Sequence, residues 1–178
     1  MAARIATAPD IPPQANGAFV IGRRALMWMG ALAPALAASS PGSAGGGGGV
    51  HVERDYVRCR FGQLHLRRAG SISQRPPLLC FHQVPNSSQI YTEFLSMVAT
   101  DRLAIAFDTP GYGMSDPATD PQTIGAYADA IEDGVAALGL AGAVDLLGYH
   151  TGAAIAAELT ARGRLAVRRV MLVAVPVF

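Results

Sequence analysis

The stretch Gly148-Tyr149-His150-Thr151-Gly152 decides the fold of this chain, because it has the frame of a nucleophile elbow. An elbow is a sharp strand-to-helix turn with glycines two residues before and two residues after its centre. The strained backbone at the centre pushes the central side chain outward into a site. Both glycines are present here, but histidine stands where the G-x-S-x-G pattern has its serine. The frame predicts an elbow that carries an imidazole in place of the attacking hydroxyl.

Apolar runs and amphipathic runs alternate around the elbow. Residues 54–61 and 64–68 alternate apolar and polar side chains around Gly62-Gln63, which predicts a β-hairpin with a two-residue turn. Further strands are predicted at 77–81, 103–107, 144–147 and 170–175, and helices at 87–99, 124–138 and 151–162, with Ser88 capping the first helix. Strands that alternate with helices predict an α/β fold, a mostly parallel sheet with helices on both faces.

The composition excludes several classes of protein. The chain has 178 residues, 51% of them hydrophobic, which is enough for one globular domain with a core. Its net charge of +1 gives no basis for a nucleic-acid partner. All 14 basic residues are arginine, so enzymes that need a P-loop, Schiff-base or kinase lysine are excluded. Cys59 and Cys80 lack the spacing of a zinc site and are predicted to be buried apolar residues, with a disulfide between them as the alternative if the protein is exported.

The first 50 residues are predicted to lie outside the folded domain. Residues 1–38 have the layout of a signal peptide, with Arg23-Arg24, a short apolar run and small residues suited to cleavage. The paired arginines suggest the twin-arginine route, with the general secretory route as the alternative, and the apolar run is too short for a membrane span. Residues 39–50 are a glycine-rich flexible linker, and residues 51–178 are the domain. The expected location is exported or periplasmic, or cytoplasmic if Met1 is a misplaced start.

Three segments of the sequence together resemble one known family. Residues 78–85, LLCFHQVP, are similar to a strand that ends in His-Gly, and residues 108–116, DTPGYGMSD, match the pattern D-x-P-G-x-G-x-S-D. With the elbow as the third segment, their order and spacing resemble the α/β-hydrolase fold family over roughly residues 52–178. The resemblance implies a small-molecule substrate of the ester, epoxide or lactone class, hydrolysed without a cofactor.

The resemblance also implies roles for particular residues. His150 lies at the nucleophile position, in the elbow frame of Gly148 and Gly152. The backbone N–H groups of Val84 and Thr151 correspond to the oxyanion hole, which stabilises the negative oxygen of a tetrahedral intermediate. The resemblance implies no metal. The residues expected to line or support the pocket are His82, Gln83 and Asp108.

The sequence departs from the family pattern in three places. Gln83 replaces the glycine after the histidine of the first segment, and His150 replaces the nucleophile. The sequence ends at Phe178, after the sixth predicted strand, whereas the family's catalytic acid and histidine lie beyond that point, so the domain is expected to be truncated. A Ser-His-Asp triad is not expected within this chain, and whether the chain itself is an enzyme stays open.

Three interpretations of His150 follow. In the first, its imidazole attacks the substrate directly or acts as a general base on water. In the second, it binds a metal ion together with His82 and Asp108, which follow neighbouring strands. In the third, the domain is a catalytically inactive remnant or a ligand-binding module of the same fold.

The last predicted strand bears on association. Residues 170–175 are apolar and, as the sixth strand of a truncated sheet, would form an unpaired edge. Such edges pair with other chains, so the sequence predicts self-association through this strand.

Overall fold

A computed structural model describes residues 49–118 and 122–176 of the chain. The predicted signal peptide, residues 1–38, and the linker up to residue 48 lie outside the described residues. Val50, the last residue assigned to the linker, donates its N–H to the carbonyl of Ser96 at 3.1 Å and packs against the core. The end of the predicted linker is thus attached to the domain.

Six strands and three α-helices make up the described part of the domain. The strands are Glu53–Cys59 (β1), Gly62–Ala69 (β2), Leu78–Phe81 (β3), Ala104–Phe107 (β4), Val144–Tyr149 (β5) and Val167–Val173 (β6). The helices are Thr92–Val98 (α1), which follows a 3₁₀ turn at Ser88–Tyr91, Ile124–Ala137 (α2) and Thr151–Arg162 (α3). None of these helices is long and apolar enough to cross a bilayer.

The strands form one mostly parallel sheet in the order β1-β2-β4-β3-β5-β6. β4, β3, β5 and β6 run parallel, and the β1–β2 hairpin joins the edge of β4 in antiparallel pairing. α2 and α3 cover one face of the sheet and α1 covers the other. The predicted α/β fold with helices on both faces is confirmed.

Alternate residues of the central strands fill two separate clusters of the core. On β3, Leu79 and Phe81 point into the cluster beneath α2 and α3, whereas Cys80 points into the cluster beneath α1. This alternation is the reason that a strand covered on both faces is apolar along its whole length. Both cysteines are free thiols; Cys80 is buried, and Cys59, which was predicted to be buried, is only half-buried.

The hairpin turn differs from its prediction by two residues. Cys59 pairs with Gly62, so the turn residues are Arg60 and Phe61 instead of the predicted Gly62-Gln63. Gly62 begins β2 with φ of +124°, a value that a residue with a Cβ rarely adopts. Asp133 of α2 accepts hydrogen bonds from the backbone N–H of Arg60 at 2.9 Å and from its Nε at 2.8 Å. This contact with a distant helix fixes the position of the turn. The alternation of apolar and polar side chains along the hairpin does not predict such a contact.

The first helix is shorter than predicted, and its cap is a different serine. Ser87 is the N-cap, because its Oγ accepts from the N–H of Gln89 at 3.4 Å. Ser88, the predicted cap, is fully buried and donates its N–H to Asp108. The bond to Asp108 holds Ser88 at the start of a 3₁₀ turn, Ser88–Tyr91, and the α-helix begins only at Thr92.

The ends of two strands also differ from their predictions. β5 continues to Tyr149, because Gly148 still pairs with Phe81 on one side and Leu172 on the other. β6 lies earlier than predicted, at Val167–Val173 in place of 170–175. In contrast, α3 spans Thr151–Arg162, as the sequence predicts.

Candidate active site

The three sequence motifs meet at the carboxyl ends of neighbouring strands. Phe81 at the end of β3 is in register with Phe107 of β4 on one side and with Gly148 of β5 on the other. Neighbouring strands lie about 5 Å apart, so the residues that follow them are close in space. Those residues are His82, Asp108 and, at the elbow, His150.

The backbone turns sharply between β5 and α3. His150, at the centre of the turn, has φ of 53° and ψ of −115°, a conformation that is strained for a residue with a Cβ. A Cβ on Gly148 would collide with the backbone of Gly152, and a Cβ on Gly152 would collide with the carbonyl of Phe81. The two glycines let α3 begin directly against the end of β3. This close packing holds His150 in its strained conformation.

The imidazole of His150 is exposed at this turn. Its Nδ1 lies 3.2 Å from Oγ1 of Thr151, and the backbone N–H of Val84 points toward the same oxygen across 3.5 Å. Within the described residues, this hydroxyl is the hydrogen-bond partner of the His150 ring. The amide of Val84 thus faces the elbow, and the oxyanion-hole roles of Val84 and Thr151 stay predictions.

His82 is fully buried beside the elbow and is bonded at both ring nitrogens. The N–H of Thr109 donates to Nε2 at 2.9 Å, so Nδ1 carries the ring proton and donates it to the carbonyl of Gln83 at 2.8 Å. Burial lowers the pKa of His82, although the bond to Gln83 and the nearby Asp108 oppose this effect. His82 therefore joins the ends of β3 and β4, and Gln83 is half-buried.

Asp108 is also fully buried and accepts hydrogen bonds from three segments. Its Oδ1 accepts from the N–H of Ser88 at 2.5 Å, and its Oδ2 accepts from the N–H of Met114 at 2.9 Å and faces Nδ1 of His65 at 2.8 Å. Burial alone would raise the pKa of Asp108, but these hydrogen bonds outweigh burial and hold the pKa below its usual value. Asp108 thus supports the loop that follows β4.

The metal-site interpretation receives no support from these contacts. Both ring nitrogens of His82 and both carboxylate oxygens of Asp108 are hydrogen-bonded to protein groups. These atoms are therefore not free to bind a metal ion together with His150. In residues 49–118 and 122–176, no three His, Cys, Asp or Glu side chains are grouped closely enough to hold a metal ion.

His65 of β2 also belongs to this region, although the sequence predicted no role for it in the site. Its side chain is fully buried, pairs with Asp108 and lies against Tyr56 with ring centroids 5.1 Å apart. A signal for this position exists in the sequence, because His65 stands between Leu64 and Leu66 in a strand where all three are buried. A histidine in such a run needs a polar partner, and Asp108 supplies it.

The loop after β4 is fixed to β2 by its own side chains. Ser115 Oγ donates to the carbonyl of Asp108 at 2.8 Å and accepts from the N–H of His65 at 2.9 Å. The carboxylate of Asp116 accepts from the N–H of Gln63 at 2.9 Å. The pattern of residues 108–116 therefore has a structural explanation, since its Asp, Ser and Asp residues tie the loop to the hairpin.

A cavity of about 570 Å³ lies at the opposite end of the sheet from the elbow. It is lined by the start of β4, the end of β2 and the residues just before β1, including Ile105, Ala69 and Val50. None of the candidate site residues lines it. The candidate site is therefore distinct from this cavity.

A mostly parallel sheet with an elbow after a central strand is the architecture of an α/β hydrolase. The sequence model of the alpha/beta hydrolase fold family matches residues 76–178, more than half of the chain. The chain belongs to the α/β-hydrolase fold family. The resemblance stated from the sequence is confirmed at the level of family and fold.

Solved structures of this fold are similar over the same domain. An epoxide hydrolase, CorEH, is 22% identical, with a TM-score of 0.63 over 68% of this chain and 42% of that chain. The haloalkane dehalogenase DatA from Agrobacterium tumefaciens C58 is 24% identical, with a TM-score of 0.60 over 68% of this chain and 40% of that chain. The N-acyl homoserine lactonase AidH is 27% identical, with a TM-score of 0.62 over 71% of this chain and 46% of that chain. No curated protein matches the sequence.

The match covers less than half of the length of each of these relatives. The family membership and the fold are therefore shown for the part of the domain that the chain contains. What the whole protein binds or converts is a matter for proposal.

Proposed function

We propose that this protein hydrolyses small organic molecules of the ester, epoxide or lactone class without a cofactor, with His150 as the basic group of the site. The observation that carries the proposal is the strained and exposed position of His150, with φ of 53°, at the end of a central parallel strand. Such strain is costly and persists only where the surrounding packing enforces it, and it is concentrated at functional sites.

The surroundings of the imidazole support hydrolysis. Imidazole exchanges a proton readily near neutral pH, so His150 can remove a proton from an attacking group. The N–H of Thr151 belongs to the first turn of α3, where N–H groups lack acceptors within the helix, and the N–H of Val84 points toward Oγ1 of the same residue. Two such donors would stabilise a negative oxygen, and loss of one typically costs about 3 kcal/mol of transition-state stabilisation.

The relatives support the class of reaction and leave the substrate open. Their names describe an epoxide hydrolase, a haloalkane dehalogenase and a lactonase, at 22 to 27% identity. The lactonase is the most similar of these three in sequence, and lactones share with esters the carbonyl carbon at which an oxyanion hole acts. We therefore favour an ester or lactone over an epoxide.

A second candidate is an inactive module that binds a ligand with the same pocket. It is favoured by the contacts of His150, because no carboxylate within the described residues orients its ring. Gln83 supports this candidate too, since it adds a side chain where the family has glycine.

The test is hydrolysis of p-nitrophenyl acetate, an aryl epoxide and an acyl homoserine lactone by the chain and by two variants. His150→Ala removes the proposed base, and His51→Ala removes an exposed histidine outside the site as the matched control. We expect His150→Ala to lose about 100-fold or more of the rate on at least one substrate, while His51→Ala keeps the full rate. Equal background rates for wild type and His150→Ala on all three substrates would favour the inactive module.

We also propose that residues 1–38 export the protein, with residues 39–50 as the linker to the domain. The proposal rests on Arg23-Arg24 and the short apolar run that follows. Replacing both arginines by lysine should move the full chain from the periplasmic to the cytoplasmic fraction of a bacterial host. Cytoplasmic wild-type protein would instead support the misplaced start.

A further inference from the structure

The hydroxyl of Thr151 stands between two groups that would activate it. On one side, Nδ1 of His150 lies 3.2 Å from Oγ1. On the other side, the N–H of Val84 donates toward the same oxygen across 3.5 Å. An oxygen with a base on one side and a hydrogen-bond donor on the other loses its proton more easily, because the donor stabilises the alkoxide.

The backbone of the elbow fixes this arrangement. The N–H of His150 is bonded to the carbonyl of Val173 at 2.9 Å, and its carbonyl accepts from the N–H of Ala153 at 2.8 Å. Thr151 is the first residue of α3, a helix of 12 residues, and its Cβ is held by the helical backbone. The distance between the two neighbouring side chains therefore depends on their rotamers alone, and no loop has to move to bring them together.

From these contacts we infer that Thr151 Oγ1 is the nucleophile of the site and that His150 is its general base. The inference rests on the proposed hydrolysis and names the atom that would attack. The nucleophile has shifted by one residue along the elbow, from the central position to the first residue of the helix. The pair reproduces the neighbouring hydroxyl and imidazole that nucleophilic acyl transfer requires.

The reaction with an aryl ester balances in two steps. In the first, the Oγ1 proton moves to Nδ1 of His150 while Oγ1 bonds to the carbonyl carbon; the bond to the leaving oxygen then breaks, the imidazolium gives its proton to that oxygen or to solvent, and p-nitrophenol or its anion departs, which leaves His150 neutral. In the second, His150 takes a proton from water, whose oxygen attacks the acyl-threonine and releases the acid. Oγ1 recovers its proton from the imidazole, so no oxidant, metal or further reactant is consumed.

The experiment combines rates with the location of the acyl group. The full chain is mixed with p-nitrophenyl acetate, quenched in acid, digested and analysed by mass spectrometry. Rates are measured for wild type, Thr151→Val, Thr151→Ser and the control Thr160→Val. The control removes a hydroxyl on the same helix that is bonded to the carbonyl of Ala156, away from the elbow. Circular dichroism establishes that each variant is folded.

The inference predicts an acetyl group on Thr151 of the wild type and a loss of about 100-fold or more in rate for Thr151→Val. Thr151→Ser should recover hydrolysis, and Thr160→Val should match wild type. Hydrolysis that survives in Thr151→Val to within about threefold, or an acetyl group on His150, would overturn the inference while the proposed function stands. If neither the wild type nor any variant exceeds the buffer rate, the proposed hydrolysis and the assignment of Thr151 as nucleophile are both wrong. Because the wild-type adduct can be located without any variant, poor folding of Thr151→Val leaves the test intact.

Discussion

The carbonyl oxygen of Phe81 occupies the place where a Cβ of Gly152 would stand. The start of α3 is therefore in backbone contact with the end of β3, and no side chain separates them. This contact closes the elbow from one side, while Gly148 allows the same close approach from the other. The strained conformation of His150 depends on both.

Replacing Gly152 by alanine should destabilise the domain strongly. The added Cβ meets backbone atoms of Phe81, which cannot rotate away as a side chain would, so we expect a loss of about 3 kcal/mol or more in the free energy of unfolding. The matched control is Gly142→Ala, because a Cβ at Gly142 meets nothing within 4 Å. Urea denaturation measures both changes. A loss of less than about 1 kcal/mol for Gly152→Ala would contradict the described packing.

Asp108 should be the most sensitive carboxylate of the site region. Asp108→Asn replaces an acceptor by an amide NH₂, which leaves the N–H of Ser88 or of Met114 without an acceptor in a buried place. We expect a loss of about 3 kcal/mol in the free energy of unfolding. The control is Asp101→Asn at an exposed ion pair with Arg75, where the loss should stay below about 1 kcal/mol. Similar losses for the two variants would show that Asp108 does not hold the loop.

His82 should make stability depend on pH. Burial lowers its pKa in the folded chain, whereas the unfolded chain keeps a value near 6.5, so the unfolded state binds the proton more strongly. The free energy of unfolding should therefore fall as the pH drops through the unfolded pKa of about 6.5 and level off below the lower folded pKa. His82→Gln keeps an acceptor and a donor but does not titrate, and its pH profile should be flatter. Identical slopes for the two proteins would rule out His82 as the cause.

The edge strand β6 should govern association. In the described part of the chain, β6 pairs only with β5, and the side chains of Met171 and Leu172 are 40% and 37% exposed. We expect the wild-type chain to self-associate through this edge. Met171→Lys should weaken association at least about tenfold, which requires only about 1.4 kcal/mol of repulsion between the lysines of two copies.

The control for this prediction is Met97→Lys, which adds the same charge at an exposed methionine of α1. Sedimentation velocity over a concentration series measures both variants. An equal effect of the two substitutions would point to net charge as the cause, and a monomeric wild type would contradict association through β6.

The sequence was sufficient for the parts of the fold that depend on local pattern. Apolar runs that alternate with runs of helical periodicity predicted the mostly parallel sheet, and α3 was placed at its observed ends, where the elbow precedes it and the αL glycine Gly163 follows it. The sequence predicted the order of the elements along the chain, and the structure adds the order β1-β2-β4-β3-β5-β6 within the sheet.

Contacts between distant segments could not be predicted. The hairpin turn is fixed by Asp133 of α2, and the first helix is delayed because Ser88 bonds to Asp108. The pairing of His65 with Asp108 joins residues 43 positions apart. In each case a polar group is bonded to a partner in a distant segment, and the periodicity within one segment does not predict such a contact.

The role of His150 as the base of the site is tested by the initial rate of p-nitrophenyl acetate hydrolysis by wild type and by His150→Ala, with both proteins shown to be folded and used at equal concentration. If the imidazole held by the elbow is the base of the site, the rate should exceed the buffer rate for wild type and fall about 100-fold or more in the variant. Identical rates at the buffer level would contradict it.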